Sequence, residues 1–414
     1  MKLLFLSPAA NPGGAERALL DLMASVGAAR PDWRLELIAA ADGELIRAAR
    51  ELGVTASVIR FPRPLAAIGD AGAGGPAGDH ANAIAVAARL ALAAPAIAAY
   101  ARELARAIAD RAPDLIHTNG FKMHVLGAWA APRGAPLVWH LHDYVRARPM
   151  MSRLLRAHVR RAAAVIANSH SVAADARAAL SRRVAIFTVH NAIDLERFTP
   201  AGPRLDLDRL ARMEPLGEGG LRVGLIATLA RWKGHRTFLR ALAALPETAP
   251  VRGYVIGGPL YETAGSQHAL DDLRAFANSL GLGGRVGFTG FVADAPAALR
   301  ALDIVVHAST EPEPFGLVIA EAMACGRPVI ASAAGGAAEL FIDGADAIAH
   351  RPGDAAGLAA AIARLAADRE LRRRLGASAA TTAARRFTRA RMAAELIPLY
   401  ERAARSAAAP EPRP

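Results

Sequence analysis

The sequence holds a single cysteine, Cys325. That excludes an intramolecular disulfide and makes a reducing, cytoplasmic compartment the default expectation. No grouping of His and Cys has the spacing of a structural zinc site, so neither metal nor cofactor is expected. Aromatic residues make up only 5% of the chain, too few to interleave with its arginines as stacking platforms for single strands. Lysine occurs three times, at Lys2, Lys122 and Lys233, so the net charge of +12, from 50 basic and 38 acidic residues, is carried almost wholly by arginine. In so alanine-rich a chain that excess reads as compositional drift, and no nucleic-acid partner is expected. A retained lysine is then informative.

Long apolar runs are also missing. Met1 to Ser7 offers five apolar residues before Pro8, too short for the core of a signal peptide, so no leader is expected. Ala81 to Tyr100 is mostly alanine, holds Arg89 and Pro95 and runs on into charged Ala101 to Asp110, which fits a surface helix and not a span. The chain has no Gly-x-x-x-x-Gly-Lys-Ser/Thr loop and no Gly-x-Ser-x-Gly elbow.

What is present is a repeated unit: a short β-type apolar run, a small-residue loop and a helical pattern, the mark of parallel α/β layers. In the first half the runs are Lys2 to Leu6, Leu35 to Ala39, Ala56 to Arg60, Asp114 to His117, Leu137 to His140, Ala164 to Ala167 and Ala185 to Val189. Gly69 to His80 reads as a surface loop. The rhythm lapses between Asp194 and Gly220 and restarts with Leu221 to Ile226, Val251 to Ile256, Arg285 to Phe288, Ile304 to His307, Pro328 to Ala331 and Ala347 to His350. The 414 residues, 53% apolar, suffice for two cores. The expected division is residues 1–195, a linker 196–219, a second α/β domain 220–385, a helix 386–406 crossing back to the first domain, and a frayed tail 407–414. Ligands of open parallel sheets sit beyond the carboxyl ends of the strands, so two such halves would face a common cleft.

The loops after the strands carry the candidate chemistry. After the run ending at His307 comes Glu311-Pro-Glu313-Pro-Phe315-Gly316-Leu317-Val318-Ile-Ala-Glu321. A helix opening at about Phe315 would present the amides of Phe315, Gly316, Leu317 and Val318 to an anion such as phosphate. Glu313 at its lip and Glu321 further in would suit sugar hydroxyls; the alternative is a capping glutamate and a solvated one. Thr228-Leu-Ala-Arg231-Trp-Lys233-Gly234 follows the strand ending at Ile226 and brings two cations to the same end, either for phosphate or as solvated loop charges. Asn11-Pro-Gly13-Gly14-Ala-Glu16 opens the first helix, as a ligand-hugging loop or a plain turn. His142 closes the Leu137 strand, as a site residue or a structural one.

In order, Gly13-Gly14-Ala-Glu16, Asp114-Leu-Ile-His117, His142-Asp143, Ala167-Asn-Ser169, Asn191-Ala-Ile-Asp194, Trp232-Lys233-Gly234, Glu313-x7-Glu321 and Gly335-Gly336-x-x-Glu339 resemble family 4 of the retaining glycosyltransferases, which have the GT-B fold of two Rossmann-like domains facing across a cleft. The resemblance implies a metal-independent hexosyltransferase of polysaccharide biosynthesis. Its second domain would bind a nucleotide-diphosphate sugar, and its acceptor would be an envelope glycan, a lipid-linked molecule or a small molecule. It implies that Glu313 and His142 attend the donor sugar, that Lys233 and the amides around Phe315, Gly316 and Leu317 hold the diphosphate, that Glu321 grips the ribose, and that Gly13 and Gly14 close over the donor. Thr228 stands where the family has Arg, with Arg231 the substitute. Asn191-Ala192 replaces Asn-Gly, where a positive φ is less comfortable. Asp206-Leu-Asp208 matches the metal-binding Asp-x-Asp of another glycosyltransferase fold but lies in the linker and reads as structural. The rival functions are a non-hydrolysing sugar-nucleotide epimerase and a non-catalytic nucleotide-sugar binder of the same fold.

Arg146 and Arg148 through Arg153, Arg156, Arg160 and Arg161 interleave with Met150, Met151, Leu154, Leu155 and Val159. On a helix that makes a cationic face beside an apolar one, suited to peripheral contact with the inner face of an anionic membrane, or to packing on its own domain.

Overall fold

Leu3, Leu4, Phe5 and Leu6 are all fully buried. An uninterrupted buried run of this kind is a parallel strand covered by helices on both faces, and in the computed structural model it forms the middle of a seven-stranded sheet. The structure describes residues 1–9, 13–67, 80–180, 184–258 and 267–408. The expected loop at Gly69 and part of the expected tail lie outside the described residues, as do Asn11 and Pro12. The chain divides into two compact units, Met1–Ala192 with Arg389–Pro414, and Ile193–Thr388.

The N-terminal unit runs β1 (Lys2–Ser7), α1 (Gly14–Ala29), β2 (Arg34–Ala39), α2 (Glu44–Glu51), β3 (Thr55–Val58), α3 (Arg63–Ala67), α4 (His80–Arg111), β4 (Leu115–Asn119), α5 (Phe121–Ala130), β5 (Leu137–Leu141), α6 (Pro149–His158), β6 (Ala162–Ala167), α7 (His170–Ala179) and β7 (Ile186–Thr188). Its sheet is parallel in the order β3-β2-β1-β4-β5-β6-β7. β1 pairs with both β2 and β4, Leu3 lying opposite Leu35 and Leu115. The order therefore reverses beside β1, where α/β sheets of this kind accept ligands. No helix among the described residues is long and apolar enough to cross a membrane.

The C-terminal unit repeats the plan with α8 (Leu207–Leu210), β8 (Leu221–Ile226), α9 (His235–Ala243), β9 (Val251–Ile256), α10 (Leu270–Ser279), β10 (Val286–Gly290), α11 (Ala295–Ala301), β11 (Ile304–His307), α12 (Leu317–Ala324), β12 (Val329–Ser332), β13 (Ile348–His350), α13 (Ala355–Ala367) and α14 (Arg369–Arg386). Its parallel sheet has the order β10-β9-β8-β11-β12-β13. The stretch expected as a linker is more than a tether: α8 lies within it, with Leu207 and Asp208 buried. The Asp208 carboxylate meets Arg222 and Arg252 at 2.7 Å each and the Tyr254 hydroxyl. Despite burial, these donors hold the Asp208 carboxyl well below the usual carboxylate range. Asp206 caps α8 by accepting from the Arg209 amide at 3.0 Å. The Asp-x-Asp pair is thus a structural hub.

The last helix, α15 (Arg389–Ala408), belongs to the N-terminal unit and begins at 389 where 386 was expected; Ala407 and Ala408 are helical and not tail. Met392, Leu396 and Tyr400 are fully buried in the core beneath β1 and β2, and the Tyr400 hydroxyl bonds His117 Nδ1 at 2.9 Å. Arg389 clasps Asp21 of α1 at 2.6 Å. A core of the first unit is therefore completed from the far end of the chain. Leu396→Ala should cost about 2 to 5 kcal/mol, measured by urea unfolding; a loss under ~1 kcal/mol would mean the helix is not part of that core.

Candidate active site

In the C-terminal unit the site is built by one close backbone approach. Gly234 has φ +77°, and a Cβ there would sit 1.8 Å from the carbonyl oxygen of Ala308, just after β11. Only glycine permits that contact. It draws the turn Arg231–Lys233 against the loop after β11, where the Thr310 amide and hydroxyl both donate to the Trp232 carbonyl, at 2.7 and 3.2 Å. The consequence is that Lys233 Nζ lands on the Glu313 carboxylate, 2.8 Å from Oε2 and 3.0 Å from Oε1. The ammonium also lies 3.9 Å from the centroid of the Trp232 ring.

Glu313 is buried, not at an exposed lip. Its backbone forms a parallel bridge to Gly335. Besides Lys233, its Oε2 accepts from the Ser309 hydroxyl at 2.8 Å and His307 Nε2 at 3.2 Å. Burial pushes its pKa up, but the charge of Lys233 and the His307 bond outweigh burial and bring it down to about 2. Glu313 is therefore an anion throughout the neutral range.

The helix after Glu313 opens two residues later than the spacing predicts, at Leu317, because Gly316 takes the left-handed cap with φ +93°. The amides of Gly316, Leu317 and Val318 meet no acceptor among the described residues, as the first turn of any helix requires of its donors. Phe315 turns its ring into the core against Phe387, with centroids 6.2 Å apart. Glu321 lies inside α12 and is buried. Arg231 is exposed at the start of its turn, while Thr228 is half-buried in the preceding loop.

In the N-terminal unit, Gly13 caps α1 at an ordinary φ of −79°, and its amide donates to Glu16 Oε2 at 3.0 Å. Gly14 is the first residue of the helix and exposed. Neither glycine is demanded by its backbone angles. Ala192 is buried and has no positive φ, so alanine fits where the family has glycine. His142 sits just past β5, half-buried as a residue but with both ring nitrogens buried and without a partner among the described residues, its ring 4.0 Å from that of His140.

His142 belongs to a row that sequence reasoning named only in part, without Ser7 and Asn119. Ser7 ends β1, Asn119 ends β4, His140 stands next to last in β5, and Asn168 follows β6. These are neighbouring strands, and each of the four residues is buried with a side-chain polar atom that meets no partner among the described residues. Asn191, beyond β7, does the same. The available signal was a polar residue closing each apolar run. Polar atoms buried this way are normally satisfied by water or a ligand.

The family model described as Glycosyltransferase Family 4 matches residues 12–197, and the one described as Glycosyl transferases group 1 matches residues 210–382. A D-inositol 3-phosphate glycosyltransferase of Xylanimonas cellulosilytica is 31% identical over 331 residues, 74% of this chain and 77% of that protein. The chain belongs to glycosyltransferase family 4. A second D-inositol 3-phosphate glycosyltransferase, from Stackebrandtia nassauensis, is 36% identical over 217 residues; the chain spans about half the length of that relative, 46%. Among solved structures, Anabaena HepE in complex with UDP and glucose is 28% identical with a TM-score of 0.76, covering 97% of this chain and 99% of HepE. Two parallel sheets flanked by helices and this likeness give the family member its GT-B fold.

His117, His124, His140 and His142 gather around β4 and β5 of this glycosyltransferase. Burial lowers the pKa of each, to about 3 for His117 and His142, and neighbouring histidines add to the lowering in His117, His124 and His140. All four stay neutral in the folded protein at pH 5, whereas the unfolded chain takes up protons below about 6.5. Stability is therefore full above that pH and lost as pH falls, by about 5 kcal/mol per pH unit at the steepest if all four act. Unfolding curves between pH 7.5 and 5 check this. A flat stability profile over that range would show the histidines titrating as in the unfolded chain.

Proposed function

We propose that the protein transfers a hexose from a nucleoside-diphosphate sugar to a hydroxyl acceptor with retention at the anomeric carbon and without a divalent ion. The observation that carries this reading is Lys233 seated on the buried Glu313 carboxylate, three residues ahead of the Gly316 cap and its unpartnered amides. Lys233, Arg231 and the amides of Phe315, Gly316, Leu317 and Val318 would meet the diphosphate as it leaves and gains charge. Glu313 would accept from hydroxyls of the donor sugar and Glu321 from the ribose. His142 would serve near the reacting carbon as a neutral ring, and Gly13 and Gly14 would close on the donor. No carboxylate is placed as a covalent nucleophile in this reading. Same-face attack, with a phosphate oxygen of the leaving group taking the acceptor proton, balances the step. HepE, solved with UDP-glucose, supports a uridine donor.

Thermal stabilisation by UDP-, GDP- and ADP-sugars would identify the donor, since a ligand at 100 times its Kd adds about 2.7 kcal/mol. Lys233→Ala should lower turnover roughly 10²-fold or more. A folded Lys233→Ala variant with near-normal turnover removes the clamp, and donor consumption that yields only an epimer replaces transfer with epimerisation.

We further propose a glycan, lipid-linked or small-molecule acceptor of the cell envelope, met by a cytoplasmic protein that touches the inner membrane face. The apolar half of the segment 146–161 takes the second of the two expected roles, packing on its own unit: Leu155 and Val159 are core, with Met151 and Leu154 packed against it. Arg156 and Arg161 are also spent, on the carbonyls of Ala179 and Ala131. Arg146, Arg153 and Arg160 remain exposed, as do Met150 and Trp129, and Asp143 is the sole acid between Asp114 and Asp175. This supports electrostatic contact and not insertion. The protein should sediment with phosphatidylglycerol vesicles at low salt and be released at high salt or by Arg153→Glu with Arg160→Glu. Absence of sedimentation at low salt rejects the contact.

A further inference from the structure

Glu313 Oε2 accepts from two donors that no role in phosphate binding requires, Ser309 and His307. Both are buried, at 1% and 4% exposure. His307 closes β11, and its Nδ1 has no partner among the described residues. A proton on Nδ1 would be a buried donor without an acceptor, so the tautomer that satisfies the site donates through Nε2 to Glu313. The two donors are themselves fixed by the neighbouring strands. Ser332, the last residue of β12, donates to the Ser309 carbonyl at 2.7 Å, and His350, the last of β13, places Nε2 3.2 Å from the His307 carbonyl. Two polar residues at the end of β11 thus meet one carboxylate oxygen, and the last residues of β12 and β13 hold the backbone carbonyls of those two.

We propose that Ser309 and His307 are positioning residues for sugar recognition. They bracket Oε2 so that the Glu313 carboxylate keeps one orientation, and stays compensated as a buried anion, when Lys233 turns from it to a phosphate. This rests on the reading of Glu313 as the group that accepts from the donor sugar. Without the bracket the carboxylate keeps its ion pair with Lys233 and rotates with it. Loss of the bracket then erases the affinity contributed by the sugar while leaving the nucleotide contacts, which come from α12 and its loop, in place.

The test compares wild type and Ser309→Ala for binding of a nucleotide and of its sugar nucleotide, using UDP with UDP-glucose, GDP with GDP-mannose and ADP with ADP-glucose. If no pair stabilises the wild type, the donor reading itself fails. With the pair that does, Ser309→Ala should keep nucleotide affinity within about twofold and lose about tenfold for the sugar nucleotide, the scale of one hydrogen bond to a charged group. Parallel losses for both ligands, or no loss for either, overturn the bracket. If Ser309→Ala does not fold, His307→Leu, which removes the other donor, must show the same selective loss or the proposal falls.

Discussion

The contact between the Gly234 backbone and the Ala308 carbonyl governs the geometry of the C-terminal unit's candidate site. Two loops that follow adjacent strands, β8 and β11, are held at a separation that excludes any Cβ. At that separation the side chain before the glycine has little choice of neighbour, and Lys233 takes the only buried carboxylate of the facing loop. A buried glutamate paired with a half-buried lysine would ordinarily return little against the cost of removing the carboxylate from water. Here the cost is offset because each carboxylate oxygen is bonded and the ammonium also rests on an aromatic face.

Much of this was legible in the residues. The strand boundaries fall within two residues of the apolar runs at every position, since a parallel strand buried on both faces leaves a short continuous apolar run bounded by turn residues. Lys233, Gly234, Glu313 and Gly316 stand out because each follows a strand and because lysine is so scarce. Pairing was not legible. That Lys233 would rest on Glu313 depends on an approach between two loops whose paired residues stand 80 apart in the chain, and nothing in either loop encodes it. The buried row from Ser7 to Asn191 was named only in part for a related reason: one polar residue at a strand end is unremarkable, and only the sheet order places five of them side by side. The segment 146–161 left two alternatives open because amphipathicity does not say what covers the apolar half. Its own unit covers it.

The two units share a plan but finish their strands differently. At the carboxyl edge of the C-terminal sheet Lys233, Ser309 and His307 gather on one buried charge, and the Glu313 carboxylate there is saturated by its neighbours. At the matching edge of the N-terminal sheet the buried polar atoms are neutral, the histidines held so by burial, and many are unpartnered. An edge with fixed, compensated charges suits a ligand that brings its own charge and can replace one partner at a time. Neutral amides, hydroxyls and imidazoles left open suit a ligand or water that is itself neutral and both donates and accepts. The apolar runs of the two sheets are alike and only the residues closing them differ, so one α/β scaffold gives two chemically distinct edges through a handful of strand-end side chains.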